Sequence, residues 1–374
     1  MAEDRFSLKD HLFNAGSLGT LADEFAVLPG FPRDAFHAQV VAGLEGRELL
    51  ERLEWIADCL EPHLSSDFNE MADQLEAAMP PALDPTLKDD DFGHFIHAVP
   101  GILAVRHGLE GHRDRALDLL HAATQRFSME FYIRPFLNRW PEETMARLRI
   151  WAKDKNYHVR RLVSEGTRPT LPWAKRITLD PMAPLPLLDA LHADPTRYVT
   201  RSVANHLNDI AKRDPDAVIA RLDAWRAEGR QSAKELDWMS RHALRTLIKD
   251  GHPGAMAHLG YRADAPVAVE ALTLTPTTVQ IGEVMEITLT LTSEEDVPVI
   301  VDYAMHFLKA NRDTAPKVFK MKDAAVGPGK PLKIVKRHRF KGNATTFRLY
   351  PGPQSLAVQV NGRVVAEAEY TLTE

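Results

Sequence analysis

The sequence predicts a two-domain protein in which an all-helical domain precedes an all-β domain. From about residue 5 to residue 262, apolar residues recur at intervals of three and four, the period of an amphipathic helix. Beyond residue 263 the period changes to two, which is typical of half-buried strands. A chain of 374 residues that is 44% hydrophobic has enough apolar material for two cores. We therefore expect a helical domain at 1–262 and a β domain at 263–374.

The helical part carries an internal period of 40 residues, shown by Arg161, Arg201 and Arg241. This period resembles that of HEAT-like repeats, in which helical pairs stack into a solenoid. One register of arginines would then line one face of the stack. We interpret the repeating segments as the second helices of three consecutive helical pairs: DKNYHVRRLVSEG, DPTRYVTRSVANH and ELDWMSRHALRTL.

The second domain contains about seven alternating segments in about 108 residues. Asn361-Gly362 between two such runs predicts a two-residue hairpin, because a type I′ turn needs positive φ at both central positions. Without a cysteine pair, this pattern favours an immunoglobulin-like or fibronectin-like sandwich that lacks a disulfide. The predicted fold class is therefore multidomain: an all-α HEAT-like repeat solenoid followed by an all-β immunoglobulin-like sandwich.

The formal net charge of -6 hides a strong segregation of charge along the chain. Residues 1–120 contain 23 acidic and 9 basic side chains, whereas residues 121–262 contain 16 acidic and 24 basic ones. Within the β domain, 12 basic residues and only two acidic ones lie between Lys309 and Arg348. A polyanion could therefore be bound by the two basic blocks without the acidic one.

Several motif classes are absent from the sequence. It contains no glycine-rich phosphate loop, no CxxC and no HExxH, which argues against phosphoryl transfer, thiol redox chemistry and zinc proteolysis. His94 and His97 lack a convincing third ligand, so we expect ordinary polar histidines and no metal. The single cysteine, Cys59, is interpreted as a small buried hydrophobe. Neither a leader nor a membrane span is evident, and the expected compartment is the cytoplasm.

Three carboxylates and a tryptophan lie beside the basic helices: Glu130, Glu165, Asp209 and Trp173. Carboxylates repel phosphate, so a cleft for a polyanion would not usually hold three unless something cationic binds there. The alternatives are ordinary structural roles. Glu130 would be a solvated helix residue, Trp173 a core residue, and the other two carboxylates partners of nearby basic side chains.

At these residues the chain resembles the AlkC branch of the DNA alkylation repair glycosylases, which are related to AlkD. The resemblance covers nearly the whole helical part, and an appended immunoglobulin-like domain matches one subgroup of that branch. SEGTRP followed by LPW is its most specific element. The segments that carry it are FSMEFYIRPFLNRWPEETM, HVRRLVSEGTRPTLPWA, YVTRSVANHLNDIAK and WMSRHALRTLIKDGHPGA.

The resemblance implies base excision repair of 3-methyladenine, and also of 3-methylcytosine and 1-methyladenine, by hydrolysis of the N-glycosidic bond without metal or organic cofactor. Glu130, Glu165, Asp209 and Trp173 match the family's active-site carboxylates and aromatic residue. Glu130 and Asp209 are the preferred catalytic pair. The family grips and distorts the duplex without full base flipping, so no deep base-shaped pocket is expected.

The implied partner is double-stranded DNA containing alkylated bases, bound by a monomer that associates with the nucleoid. The alternative for the helical arginines is pairing with aspartates of the neighbouring repeat. For the basic strand KIVKRHRF the alternative is a charged edge that prevents aggregation. The expected contacts to the DNA backbone are Lys155, Arg160, Arg161, Arg168, Arg201, Arg241 and Arg245, with Lys336, Arg337 and Arg339 on that strand.

Two other functions remain open from the sequence. A non-catalytic repeat scaffold would bind DNA or protein without releasing a base. A protein whose immunoglobulin-like domain binds carbohydrate or a surface protein would show duplex affinity that ignores salt.

Overall fold

The computed structural model describes residues 7–89, 91–342 and 347–374, and its first part is helical. Short 3₁₀ turns lie at Glu61–His63 and Phe95–Ala98, and a π-helical turn at Ala104–Gly108. The α-helices are α1 (Leu8–Leu12), α2 (Ala15–Phe25), α3 (Arg33–Ala42), α4 (Leu49–Leu60), α5 (Phe68–Ala77), α6 (Val99–Leu103), α7 (Arg113–Ala123), α8 (Ile133–Arg139), α9 (Pro141–Trp151), α10 (Tyr157–Gly166), α11 (Leu185–Leu191), α12 (Arg197–Ala211), α13 (Pro215–Glu228), α14 (Ala233–Ala243), α15 (Arg245–Lys249) and α16 (Pro253–His258).

The predicted helical pairs are present, because the three repeating segments fall on α10, α12 and α14, which follow α9, α11 and α13 along the chain. Local chemistry sets the start of α10: the Asn156 side chain accepts a hydrogen bond from the backbone N–H of His158. Proline occupies the first turn of α9 and α11, where a missing N–H costs nothing. The apolar faces of α10 and α12 are buried, with Val159, Leu162 and Val203 fully shielded from solvent.

The described chain divides into two compact units. The first contains the residues up to Ile210 together with Gly229–Glu235, and the second contains Ala211–Glu228 and Leu236–Glu374. The last helix ends at His258 and the first strand begins at Val267, on either side of the boundary predicted at residues 262 and 263.

The β part forms a three-stranded sheet, in the order β1-β3-β6, and a five-stranded sheet, in the order β2-β8-β7-β4-β5. The described residues thus form eight strands where about seven were predicted. The predicted hairpin is confirmed, since Asn361 and Gly362 have φ of 49° and 80° between β7 and β8. The strands are β1 (Val267–Thr275), β2 (Thr278–Gln280), β3 (Val284–Ser293), β4 (Val297–Leu308), β5 (Thr314–Val326), β6 (Leu332–Arg339), β7 (Gly352–Val360) and β8 (Arg363–Thr373).

Both sheets contribute alternate side chains to a single apolar core, as expected for a sandwich. Ile287 and Leu289 of β3 are fully buried, as are Met305 of β4 and Val358 of β7. None of the described helices is long and apolar enough to span a membrane.

Candidate nucleic-acid site

The candidate site is a chain of alternating acidic and basic side chains in the first unit, which we call the charge chain: Glu130, Arg161, Glu165, Arg168 and Asp209. Arg161 pairs with Glu130 and lies 3.6 Å from Glu165. Arg168 donates from one nitrogen to Glu165 at 2.6 Å and from Nε to Asp209 at 2.9 Å. The structure therefore brings the three predicted carboxylates together, bridged by two arginines.

Helix geometry explains much of this arrangement. Arg161 and Glu165 are four residues apart on α10, so their side chains lie on one face of the helix. Arg168 follows directly after the end of α10, three residues beyond Glu165. Asp209 reaches the same place from α12, the second helix of the next pair. Glu130 precedes α8 and accepts a further hydrogen bond of 2.7 Å from the Ser128 hydroxyl.

Burial makes the electrostatics of the charge chain strong. Burial alone raises the pKa of the Glu165 carboxyl, but Arg161 and Arg168 outweigh it and hold that pKa below its ordinary value. Burial lowers the pKa of both guanidinium groups, and the neighbouring carboxylates more than reverse the effect. Glu165 and both arginines therefore stay ionised at neutral pH.

Glu165 is held on both of its carboxylate oxygens. Besides its two arginines, its second oxygen accepts a hydrogen bond of 2.6 Å from the Ser202 hydroxyl on α12. The side chains of Glu165 and Asp209 are 6% and 4% exposed, whereas that of Glu130 is 17% exposed. Glu130 therefore has the freer access to a bound molecule, and Glu165 holds the arginines.

A residue that the sequence analysis missed, Arg134, supports the loop after α10. Its fully buried guanidinium donates to the backbone carbonyls of Gly166, Arg168 and Lys175, at 3.1, 2.8 and 2.5 Å. One side chain thus fixes both ends of the segment that carries Arg168 and Trp173. The available signal was an arginine inside the otherwise apolar run FYIRPF.

Trp173 lies in that segment with its side chain largely outside the core. It is 73% exposed, and its φ of 62° is in the left-handed region. Such a conformation costs a bulky residue about 1–3 kcal/mol, so the surrounding contacts must impose it. The core alternative for Trp173 is therefore wrong. The segment that Arg134 holds connects Trp173 to Arg168 of the charge chain.

Several of the arginines that were predicted to contact the DNA backbone already form ion pairs with carboxylates of the protein. Arg160 donates to Asp194 at 2.5 and 3.1 Å, which is the pairing alternative realised for this residue. Arg161 and Arg168 belong to the charge chain. Arg201 is half-buried and pairs with Asp89. For these arginines a phosphate would have to compete with an existing carboxylate.

The remaining predicted arginines belong to the second unit. Arg241 donates to the Tyr261 hydroxyl at 2.9 Å and to Asp323 at 3.0 Å. Arg245 is half-buried and donates to the backbone carbonyl of His242 at 2.5 Å. None of these three contacts was predicted from the repeat.

Lys155 is exposed and differs from these arginines. It lies with Arg149 and Lys153 around Ile150, which is 68% exposed at the end of α9. Within the described ranges, no ion pair or hydrogen bond involves the charged groups of these three cations. We call these four residues the α9 patch.

The basic strand of the sandwich is β6, an edge strand of the three-stranded sheet. Arg337 and Arg339 are exposed, and Lys336 is half-buried on the opposite face. Arg337 lies opposite Glu286 of β3, and Arg339 donates to the carbonyl of Gly282 at 3.2 Å. An edge position fits both interpretations of this strand, a contact to the DNA backbone and a charged edge that prevents aggregation.

The histidine and cysteine candidates from the sequence lie in surroundings that are typical of structural residues. His97 lies 3.0 Å from Glu24, and no cluster of metal-binding side chains occurs among the residues that the structure describes. Cys59 is buried, and burial raises the pKa of its thiol to about 11, so it is an inert apolar residue as expected.

Comparison with known proteins gives a consistent assignment for the two parts of the chain. A model of the family "DNA alkylation repair enzyme" matches residues 125–247. A second model, described as "Uncharacterised protein YhaZ, C-terminal Ig-like domain", matches residues 268–374. YhaZ of Bacillus subtilis is 36% identical over 286 residues, which cover 75% of this chain and 78% of YhaZ.

A solved structure extends this likeness over the whole chain. The alkylpurine DNA glycosylase AlkC of Pseudomonas fluorescens, bound to DNA containing an abasic site analogue, matches with a TM-score of 0.89 and 33% identity. The match covers 99% of this chain and 100% of AlkC. The chain therefore belongs to the AlkC branch of the DNA alkylation repair enzymes, with the C-terminal Ig-like domain found in YhaZ.

Proposed function

We propose that this protein is a monofunctional DNA glycosylase that removes cationic alkylated bases from double-stranded DNA. The observation that carries the proposal is the charge chain, in which three carboxylates are held together by two buried arginines. The Arg134 guanidinium also interacts electrostatically with all three carboxylates, so the site is close to neutral overall, and Glu130, whose side chain is 17% exposed, offers its carboxylate to a cation. An alkylated base is such a cation within an anionic polymer.

The chemistry requires few catalytic parts. A base that already carries a positive charge leaves as a neutral molecule, so no general acid is needed. The carboxylates would stabilise the oxocarbenium character that develops on the sugar, and one of them would orient the attacking water. This differs from most glycoside hydrolases, in which one of two carboxyl groups must be protonated.

The geometry suggests a division of labour among the three carboxylates. Glu130 and Asp209 lie at the two ends of the charge chain, paired with Arg161 and Arg168 respectively. They are the proposed catalytic pair. Glu165 has both oxygens engaged, by Arg168 and by Ser202, and is proposed to position the two arginines.

Trp173 would supply an aromatic surface for the lesion sugar or the cationic base. A cation over an indole ring gains about 0.5–2 kcal/mol, depending on desolvation. Its exposure and its left-handed backbone conformation support this role. The substrates proposed are 3-methyladenine, 3-methylcytosine and 1-methyladenine, processed without full base flipping and without a cofactor.

The α9 patch is the proposed grip on the backbone in the first unit. Its cations need not be withdrawn from a carboxylate before they meet a phosphate, in contrast to Arg160 and Arg201. Arg337 and Arg339 on β6 are proposed to contact the duplex from the Ig-like domain. Because these contacts are electrostatic, duplex affinity should fall steeply with salt.

The direct test is release of free base from duplex DNA containing 3-methyladenine. Glu130→Gln and Asp209→Asn should each lose base release while retaining duplex binding. The matched controls are Glu143→Gln and Asp118→Asn, which remove surface carboxylates paired with Arg113 and Arg147. A protein that binds duplex DNA but releases no base would be a scaffold, and the proposal would be wrong.

A further inference from the structure

A cavity of about 270 Å³ lies beside Trp173 in the first unit. Its walls come from α4, the π-helical turn, the start of α8 and the loop after α10. The residues that define it are Glu54, Val105, Arg106, Tyr132, Trp173 and Lys175.

Two uncommon backbone features meet at this cavity. The Ala104–Gly108 turn is π-helical and contributes Val105 and Arg106 to the wall. Trp173 enters from the opposite segment with positive φ. π-Helical turns and left-handed non-glycine residues are both rare, and both concentrate at binding sites.

The aromatic residues that line the cavity provide flat ring surfaces, and two of them also carry a polar group, the Tyr132 hydroxyl and the Trp173 indole N–H. The Phe131 and Tyr132 rings lie edge to face, with centroids 6.4 Å apart. Tyr132 packs so closely on α6 that a Cβ at Gly101 would lie 2.2 Å from its ring, which fixes the ring against that helix. No described residue is hydrogen-bonded to the Tyr132 hydroxyl or to the Trp173 indole N–H.

The charges around the cavity disfavour a phosphate. Arg106 is bound by three carboxylates: Glu54 at 2.6 Å, Asp58 at 2.8 Å and Glu61 at 2.9 Å. Of these carboxylates only Glu54 lines the cavity, but together the three neutralise Arg106, which leaves the exposed Lys175 as the other lining cation. A neutral ring that carries an amino group and ring nitrogens fits this mixture of acceptors and donors better than a nucleotide does.

The cavity is also continuous in sequence with the charge chain. Phe131 directly follows Glu130, and the carbonyl of Lys175 accepts a hydrogen bond from Arg134. The same side chain holds the carbonyl of Arg168. The walls of the cavity and the bridging arginine are thus fixed by one buried guanidinium.

We propose that this cavity binds the base after its release: a neutral, planar, amino-substituted heterocycle of adenine type, stacked on Trp173 and Tyr132. The inference rests on the proposed function, because it identifies the occupant with the leaving group. It does not require extrusion of the intact nucleotide, since the glycosidic bond has already been broken when the ring enters.

The test uses the full-length protein without DNA and titrates it with adenine, 3-methyladenine and adenosine monophosphate, followed by saturation-transfer NMR of the ligand. The two free bases should bind, and the nucleotide should bind about tenfold more weakly or not at all. Val105→Phe fills the cavity from the π-helical turn and so prevents the base from stacking on the cavity wall. It should weaken base binding about tenfold, which is the contribution of about one stacking contact. Val27→Phe, at a residue of the same unit that is 64% exposed, should leave it unchanged.

A second readout is inhibition of base release by added 3-methyladenine, which should be strong in the wild type and weak in Val105→Phe. If DNA is processed but neither free base binds, this inference is overturned and the proposed function stands. Equal binding by the wild type, Val105→Phe and Val27→Phe overturns the location. If bases bind but alkylated DNA releases nothing, the proposed function fails, and with it the identification of the occupant as a product.

Discussion

Buried carboxylates occur in both units, and their surroundings are opposite. Asp209 in the first unit and Asp302 in the second are each 5% exposed. Asp209 accepts a hydrogen bond from Arg168 at 2.9 Å. Asp302 on β4 lies opposite Lys320 of β5, but its carboxylate has no ion pair or hydrogen bond within the described ranges. Burial therefore raises the pKa of Asp302 to about 6.

The comparison shows that burial alone does not make a carboxylate useful for binding a cation. Glu165 is as deeply buried as Asp302, yet its pKa lies below the ordinary value because Arg161 and Arg168 outweigh desolvation. A charge that must act at neutral pH has to be kept ionised, and the two arginines do this. No arginine that the structure describes offsets the desolvation of Asp302, so burial raises its pKa and destabilises its ionised form.

The largest expected effect follows from breaking the charge chain at Arg168. Arg168→Met leaves Glu165 and Asp209 buried beside an apolar side chain, and removing one partner of a buried pair costs about 3–5 kcal/mol. Urea denaturation of the variant should show a loss of that order in the free energy of unfolding.

Arg147→Met is the control for Arg168→Met, because Arg147 pairs with Asp118 on the surface at 2.5 Å. Exposed pairs contribute about 0–1 kcal/mol, so little stability should be lost. If both variants lose equally little, Arg168 is not integral to a buried network. It would then be better explained as the free phosphate contact that the sequence suggested.

The matched pair Asp209→Asn and Asp302→Asn addresses catalysis with one chemical change at two equally buried sites. Asp209→Asn should lower the rate of base release about 10²–10³-fold, the usual cost of one electrostatic contact to a transition state. Asp302→Asn should leave the rate within about twofold of wild type. Single-turnover base release measures both, and equal losses would mean that Asp209 acts only through folding.

The α9 patch gives a smaller effect, on affinity. Each cation that meets a phosphate contributes about 0.9 to the slope of log affinity against log salt. The double variant Lys153→Gln/Lys155→Gln should therefore flatten that slope by about 1.8, measured by fluorescence anisotropy with a labelled duplex. Arg147→Gln, on α9 but already paired with Asp118, should leave the slope unchanged. An unaltered slope in the double variant would exclude the patch from the interface.

The sequence predicted the elements and their order well, because helix and strand periods are local properties. It placed the repeating arginines on the second helices of successive pairs, but it could not predict their partners. Arg161 pairs with Glu130 in the segment before α8, Arg201 pairs with Asp89, and Arg241 pairs with Asp323. The last two partners are 112 and 82 residues away in the sequence, so the 40-residue spacing of the arginines could not predict them.

The site was predicted only in part for the same reason. Family resemblance suggested the three carboxylates as site residues, which stays a prediction, but it did not suggest the order in which the arginines connect them. Arg134 escaped notice because its partners are backbone carbonyls, which no side-chain pattern reveals. The cavity beside Trp173 depends on segments from residue 50 to residue 175 and on one left-handed residue, so only the folded chain defines it.

The smallest effect is a pH-dependent change in stability at Asp302. Its folded pKa of about 6 exceeds the ordinary 3.8, so between these values the folded chain keeps a proton that the unfolded chain has lost. Stability therefore falls as pH rises through this window, and above it the cost is complete. Asp302→Asn cannot ionise and should melt higher than wild type at pH 7.5, by about 2–4 °C for each kcal/mol relieved. The difference should vanish near pH 4, where Asp302 is protonated in the folded protein.

Asp264→Asn, with a side chain that is 86% exposed, should show no such pH dependence. A difference for Asp302→Asn that is equal at both pH values would mean that the amide changes packing, and that the buried charge of Asp302 is not what lowers stability.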